Sequence, residues 1–155
     1  MMPTIIIETQ INAPVEQCFD LARDIGLHCQ TTSKTKEKAI AGVTFGLIEM
    51  GQTVTFEAVH FGVRQRLTSQ IVEFERPLYF TDEMTKGAFA SMRHRHEFEE
   101  RGESTLMRDI VCWKSPLGIL GVIADILFLK RYMTKFITER GLALKQAAGD
   151  KTETE

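Results

Sequence analysis

The stretch SPLGILGVIADILFLKRYMTKFITERGLALKQAA, residues 115–148, predicts one long helix at the end of the chain. Ser115 is a favourable N-cap, and Pro116 suits the first helical position, where an N–H would have no partner. Apolar residues then recur at spacings of three, four and seven, which places them on one face of the helix. That face contains Ile119, Ile123, Ile126, Met133, Ile137 and Leu144, widened by Leu120, Leu127, Tyr132 and Phe136. We therefore expect it to pack against the rest of the protein.

Glycines interrupt this predicted helix at three positions. Gly118 and Gly121 each cost roughly 1 kcal/mol relative to alanine, so we expect the backbone to approach the sheet or a ligand closely there. Gly141 weakens the helix again, and we expect the end beyond it to fray.

The residues before the helix predict one strand, two short helices and then six more strands. The strands are expected at residues 4–11, 36–41, 52–60, 63–75, 78–86, 88–100 and 103–113. Asn12-Ala13-Pro14 ends the first strand, and the two short helices follow, through about Gln30. Because the connections are short, the strands must pair antiparallel. We therefore predict an α+β fold: a curved antiparallel sheet of about seven strands that wraps around the C-terminal helix and encloses a cavity, with residues 42–51 plugging or gating it.

The composition excludes several classes of protein. At 155 residues the chain fits one domain, expected over residues 1–148, with residues 149–155 as a disordered tail. The net charge of -2 comes from intermixed acids and bases, which argues against nucleic acid as a partner. Cys18, Cys29 and Cys112 are odd in number and widely spaced, which fits neither a disulfide framework nor a zinc site and predicts a cytoplasmic setting. The N-terminus lacks a signal-peptide pattern, and the apolar residues 117–129 are too short to span a membrane.

The order of these elements, together with three short motifs, resembles the START-like helix-grip superfamily, often called SRPBCC. The motifs are INAPVEQCFD at residues 11–20, IVEFERP at residues 71–77 before Phe80, and SPLG at residues 115–118. The resemblance covers the chain to about Leu144 and implies the helix-grip fold. It does not imply one chemistry, because the superfamily includes pollen-allergen-like proteins, lipid binders, hormone receptors and polyketide cyclases or dehydrases.

Strand alternation places several polar side chains inside the predicted cavity. In MRHRHEF, residues 92–98, Met92 and Phe98 assign His94 and His96 to the apolar, inward face. The same rule places Asp109 inward with Val111. We predict that ligand contacts come from Phe56, His60, Phe80, Asp82, Met92, His94, His96, Phe98, Asp109, Val111, Trp113, Ile123 and Leu127. An apolar cup with a few convergent polar groups is the usual form of a small-molecule site.

These residues are compatible with several functions. The first is binding or carrying a small hydrophobic or amphipathic molecule, such as a lipid, an isoprenoid or a polyketide-like compound, with the polar groups selecting its head. The second is cofactor-independent cyclase, dehydratase or isomerase chemistry, with His94 or His96 as base and Asp109 orienting it. The third is docking to a membrane or a protein partner through the apolar start of the last helix. The polar groups are equally compatible with core residues that satisfy one another.

We predict no metal site, since a histidine pair with Asp109 does not amount to a complete ligand shell. We also predict no cofactor, because no phosphate-cradling loop or cofactor fingerprint is present. Neither the oligomeric state nor the identity of a ligand follows from the sequence.

Overall fold

A seven-stranded antiparallel sheet, in the order β1-β7-β6-β5-β4-β3-β2, forms one wall of the protein. We analysed a computed structural model, which describes residues 2–32 and 35–149. The strands are β1 Thr4–Ile11, β2 Lys38–Gly42, β3 Thr53–His60, β4 Val63–Glu75, β5 Tyr79–Lys86, β6 Ser91–Arg101 and β7 Ser104–Lys114. Helices α1 (Val15–Ala22) and α2 (Ile25–Thr31) follow β1. The predicted tail lies outside the described residues from position 150 onward.

The C-terminal helix has three consecutive parts: α3 (Ile119–Ala124), a π-helical turn (Asp125–Leu129) and α4 (Lys130–Ala147). The long helix, the two short helices and the antiparallel sheet confirm the fold class that the sequence predicts. Strand boundaries differ by up to three residues, the largest difference being at β6, which begins at Ser91.

The helix begins later than Ser115. Its N-cap is Gly118, whose φ of 55° and ψ of -122° favour glycine, and the Ser115 hydroxyl instead donates a hydrogen bond to Asp125 Oδ1 at 2.6 Å. A Cβ on Gly121 would lie 2.7 Å from Ser115 Cβ, so the close approach there is to the residue after β7 and not to the sheet itself. The close approach expected at Gly118 is wrong, since a Cβ there would meet no atom within 4 Å among the described residues beyond its chain neighbours. The helix does not fray after Gly141, because that glycine lets α4 lie directly on β1: a Cβ there would come within 2.5 Å of Thr9 Oγ1.

The inward face of the helix differs from the predicted apolar stripe. Ile119, Ile123 and Ile126 are exposed, whereas the buried positions are Gly121, Asp125, Ile137, Arg140, Gly141 and Leu144. The π-helical turn closes i→i+5 hydrogen bonds and so adds one residue, which rotates the preceding segment by about 100° relative to α4. A pattern read with a constant helical period cannot account for that rotation.

The core consists of two clusters of buried apolar residues. In the larger cluster the Phe19 ring of α1 meets Phe74, Phe80 and Phe98 edge-on, with ring centroids 5.3 Å apart in each pair. The smaller cluster contains Ile5, Val111, Trp113 and Ile137, so it joins β1 and β7 to α4. These two clusters fix α1 and α4 against the sheet, and a hollow remains between them.

Candidate functional site

Two adjoining hollows lie between the sheet and α4. The inner hollow has a volume of about 120 Å³ and the outer one about 110 Å³. They share a wall formed by Glu37, Phe56, Leu67, Met92, Met133 and Phe136. Each is close to the ~150 Å³ of an engineered cavity that takes up benzene, so each has room for about one small ring.

Most of the predicted ligand residues line these hollows. The inner hollow is lined by Phe56, Phe80, Asp82, Met92, His94, His96 and Val111, while His60 lines the outer hollow. Asp109 lies directly behind the two histidines and is fully buried. Ile48, from the segment expected to plug or gate the cavity, also lines the inner hollow.

Five predicted residues do not line the hollows, and Asp109, behind the histidines, is one of them. Phe98 packs in the larger core cluster, and Trp113 is buried in the smaller one, where its indole N–H donates to Asp125 Oδ1 at 2.9 Å. Ile123 and Leu127 are 47% and 59% exposed, so the prediction that they line the cavity is wrong. The rotation at the π-helical turn explains this, since it directs them to the surface.

Asp82, His94, His96 and Asp109 form one connected group, here called the histidine–aspartate network. Strand register creates it, because β5, β6 and β7 place Asp82 beside His94 and His96 beside Asp109. His94 Nε2 donates to Asp109 Oδ1 at 2.7 Å, and His96 Nε2 donates to Asp82 Oδ2 at 2.8 Å. The imidazole rings stack with centroids 3.7 Å apart. His96 Nδ1 lies 3.3 Å from Asp109 Oδ1 without a hydrogen bond.

The two histidines have opposite pKa shifts. Burial lowers the pKa of His94, and the neighbouring His96 lowers it further, outweighing the hydrogen bond to Asp109. Burial also opposes the charge on His96, but the carboxylates of Asp109 and Asp82 outweigh it and raise the pKa of His96. Burial alone would raise the pKa of Asp109, yet the hydrogen bond from His94 and the close approach of His96 hold that pKa far below its usual range. The network therefore favours a neutral His94 beside a charged His96.

Glu37 and Arg140 form a second polar group on the inner hollow, and strand alternation in the sequence does not predict it. Glu37 Oε1 bonds His28 Nε2 at 2.7 Å, and the Arg140 guanidinium donates to the backbone carbonyl of Ala22 at 3.1 Å. Glu37 Oε2 and Arg140 Nε are buried and make no hydrogen bond among the described residues. Burial opposes the charge on Glu37, but His28 and Arg140 outweigh it and lower the pKa of Glu37.

The sequence carries a signal for Arg140 but none for Glu37. Arg140 stands three residues after Ile137 and four before Leu144, on the apolar face of the helix, where a charged residue is unexpected. Glu37 is flanked by Lys36 and Lys38 and resembles an exposed residue.

The outer hollow is bounded by a contact between β3 and α4. His60 Nδ1 and the Tyr132 hydroxyl are 2.5 Å apart, and the Phe61 ring lies against Tyr132 with centroids 4.6 Å apart. Burial lowers the pKa of His60, although Glu37 acts in the opposite direction. Nδ1 of a neutral His60 can therefore accept a hydrogen bond from the Tyr132 hydroxyl.

A metal ion would find its ligands at Asp82, His94 and His96. One ligand atom from each lies within 4.8 Å of the others, in the two-histidine, one-carboxylate combination. The third ligand would be Asp82 and not Asp109, which the sequence suggested for this role. Both Nε2 atoms already donate to carboxylates, so a metal ion bound through these nitrogens would have to replace those hydrogen bonds.

Sequence comparison identifies no relative: no protein-family model matches the chain, and no curated protein matches it. Solved structures with the same fold are nevertheless numerous. TTHA0849 from Thermus thermophilus is 18% identical with a TM-score of 0.78, over 97% of this chain and 100% of that one. The ZhuI aromatase/cyclase from Streptomyces sp. R1128 is 12% identical with a TM-score of 0.78, over 99% and 98%.

Ginseng major latex-like protein 151, from Panax ginseng, is 14% identical to this chain with a TM-score of 0.72. The match covers 96% of this chain and 98% of the ginseng protein. These similarities confirm the helix-grip fold that the sequence motifs implied.

Proposed function

We propose that the protein binds or carries a small amphipathic molecule in the hollows between the sheet and α4. Residues 1–148 would form one ligand-binding domain, and the three free cysteines favour the reducing conditions of the cytoplasm. The observation that carries the proposal is the presence of buried polar atoms without partners among the described residues, Glu37 Oε2 and Arg140 Nε, in side chains that line a mostly apolar cavity.

The apolar wall would supply most of the affinity. Phe56, Phe80, Met92 and Val111 all contribute to it. Removing apolar ligand surface from water contributes about 25 cal/mol per Å². The size of each hollow favours a single ring or a short branched chain in each. One ligand could place such a group in both hollows, with the connection passing beside the side chains that line both.

The polar atoms would select the head of the ligand. A buried donor or acceptor without a partner costs about 1–3 kcal/mol. A ligand that offers an acceptor to Arg140 Nε and a donor to Glu37 Oε2 removes both costs at once. A hydroxyl group beside a carbonyl or carboxylic group meets this requirement, whereas a pure hydrocarbon does not.

The comparisons supply general support for this proposal. An aromatase/cyclase and a major latex-like protein share the fold, so the same framework serves proteins of different names and chemistry. At 12–14% identity neither assigns a ligand to this chain.

The test is to identify what copurifies with the chain by native mass spectrometry and organic extraction. We expect a bound compound with an apolar body and at least one hydroxyl or carboxylic group. Arg140→Gln should reduce its occupancy strongly, while the control Arg101→Gln, on the exposed end of β6, should not. An empty protein, or equal occupancy in both variants, would contradict the proposal.

Acid–base catalysis is the second candidate, favoured by the contact between His94 and buried Asp109 at the cavity wall. In the tautomer that donates from Nε2, Nδ1 of a neutral His94 is free to accept a proton. Asp109 would fix that tautomer and stabilise the imidazolium that forms, as a cyclase, dehydratase or isomerase requires. His94→Ala and Asp109→Ala should then abolish turnover of a candidate substrate while binding persists. Full activity in both variants would refute this role.

A further inference from the structure

We infer that residues 117–129 dock on the surface of an anionic phospholipid membrane. This inference goes beyond ligand binding and does not depend on it. It follows from three observations: exposed apolar side chains, a buried acid that holds them outward, and cations that flank them along the chain.

Seven large apolar side chains in this segment are between 47% and 81% exposed. They are Leu117, Ile119, Leu120, Ile123, Ile126, Leu127 and Phe128. All seven belong to α3, its preceding turn or the π-helical turn, and together they are called the apolar face. A surface of this kind marks an interaction site, since scattered single apolar residues are the norm elsewhere.

The structure holds the apolar face outward. Asp125 is 5% exposed, and its Oδ1 accepts hydrogen bonds from both Trp113 Nε1 and Ser115 Oγ. Gly121 packs against Ser115 on the same inner side. Rotating the segment to hide its isoleucines would break both hydrogen bonds and leave the buried Trp113 N–H unpaired. The exposure is therefore fixed by the packing of Asp125.

Four exposed cations flank the apolar face along the chain: Lys114, Lys130, Arg131 and Lys135. Lys114 and Lys130 line the grooves that also contain Ile119 and Ile126. Between Lys114 and Thr138 the only acidic residue is Asp125, which is buried. Asp125 is likewise the only acidic residue among the described residues that line the two grooves beside the segment.

This charge pattern selects the partner. A symmetric contact between two copies of the chain would bring the same cations together, which opposes dimerisation through this face. An anionic lipid surface instead attracts each nearby lysine or arginine by about 1 kcal/mol and accepts the apolar side chains below its headgroups. No helix among residues 2–32 and 35–149 is long and apolar enough to span a membrane, so the contact we infer is interfacial.

The docked orientation would also place the ligand site near lipid. Tyr132 and Met133, which line the outer hollow, lie about one turn after Leu129 at the end of the π-helical turn. An apolar compound could thus pass between the bilayer and the hollow over a short distance.

The experiment is vesicle flotation of the full chain, with phosphatidylcholine vesicles that contain or lack phosphatidylglycerol. We expect flotation with the anionic vesicles, weakened by added salt. The double variant Ile119→Glu/Ile126→Glu should reduce partitioning about tenfold or more, since both side chains are lost from the apolar face. Lys130→Gln and Arg131→Gln should each reduce it about fivefold. The matched control Leu142→Glu changes an exposed leucine on α4, outside the face, and should float like the unmodified chain.

Circular dichroism should show the same fold in every variant, since all the changed side chains are exposed. Failure of the unmodified chain to float, or equal flotation of the double variant, overturns the inference. A dimer that the double variant abolishes, without flotation, overturns it in favour of a second copy as the partner. Because ligand occupancy is measured separately, a chain that retains its compound but does not float refutes only this inference.

Discussion

The charge on Asp109 is expected to be a major source of stability, which Asp109→Asn tests. The side chain is 1% exposed, accepts a 2.7 Å hydrogen bond from His94 and lies 3.3 Å from Nδ1 of His96. Asparagine keeps the shape and one acceptor oxygen but removes the charge. Breaking a buried charge pair by removing one partner costs about 3–5 kcal/mol. We expect the lower end, about 3 kcal/mol, because His96 can lose its proton and Asp82 still accepts from it.

The assay is urea unfolding at several pH values. Near neutral pH the midpoint should fall with an unchanged m-value, and the thermal midpoint should drop by about 6–12 °C for a chain of this length. The raised pKa of His96 fixes the pH dependence. A raised folded-state pKa gives stability that is complete below the unfolded pKa of about 6.5 and is lost as pH rises through the folded value. Asparagine removes part of that stability, so the difference between the proteins should shrink at alkaline pH.

The conservative control is Asp24→Asn, which changes a helix N-cap outside the network and should cost about 1 kcal/mol or less at every pH tested. A loss below about 1 kcal/mol for Asp109→Asn, or a difference that grows with rising pH, would refute the reasoning that Asp109 stabilises a charged His96.

Three further predictions concern the helix and the network. Gly141→Ala should destabilise the fold by about 1–3 kcal/mol in urea unfolding, because the added Cβ clashes with Thr9. An unchanged midpoint would show that β1 shifts to accommodate the methyl group without loss of stability. Trp113→Phe should cost about 1–3 kcal/mol and raise the proteolysis rate near residues 117–129, because Asp125 loses a buried donor; equal protease resistance would contradict that anchoring role. Titration calorimetry with Zn²⁺ or Fe²⁺ should show at most weak binding at neutral pH, because Asp82, His94 and His96 supply three ligand atoms and not a complete shell; tight binding abolished by His96→Ala would establish a metal site at these residues.

The sequence predicts the sheet well because strand alternation is local. Met92 and Phe98 are sufficient to assign His94 and His96 to the inner face, and the β5, β6 and β7 pairing then brings Asp82 and Asp109 to them. The contribution of Glu37 could not be predicted, since it lies between two lysines and Arg140 is distant from it along the chain. The orientation of Ile123 and Leu127 could not be predicted either. It depends on one extra residue in a helical turn and on the Trp113–Asp125 hydrogen bond, neither of which changes the apolar period.

The π-helical turn separates two sets of sequence constraints within a single helix. The residues of α4 are restricted by the close fit of Gly141 on Thr9 and by the cavity wall. Packing within the fold restricts those of α3 only on their inner side, at Gly121. Substitutions on the outer side of α3 can therefore accumulate without altering the shape of the ligand site. Deleting one residue from the turn would restore a constant helical period along the whole helix. Asp125 would then face water, and isoleucine side chains would occupy the space that now holds its carboxylate.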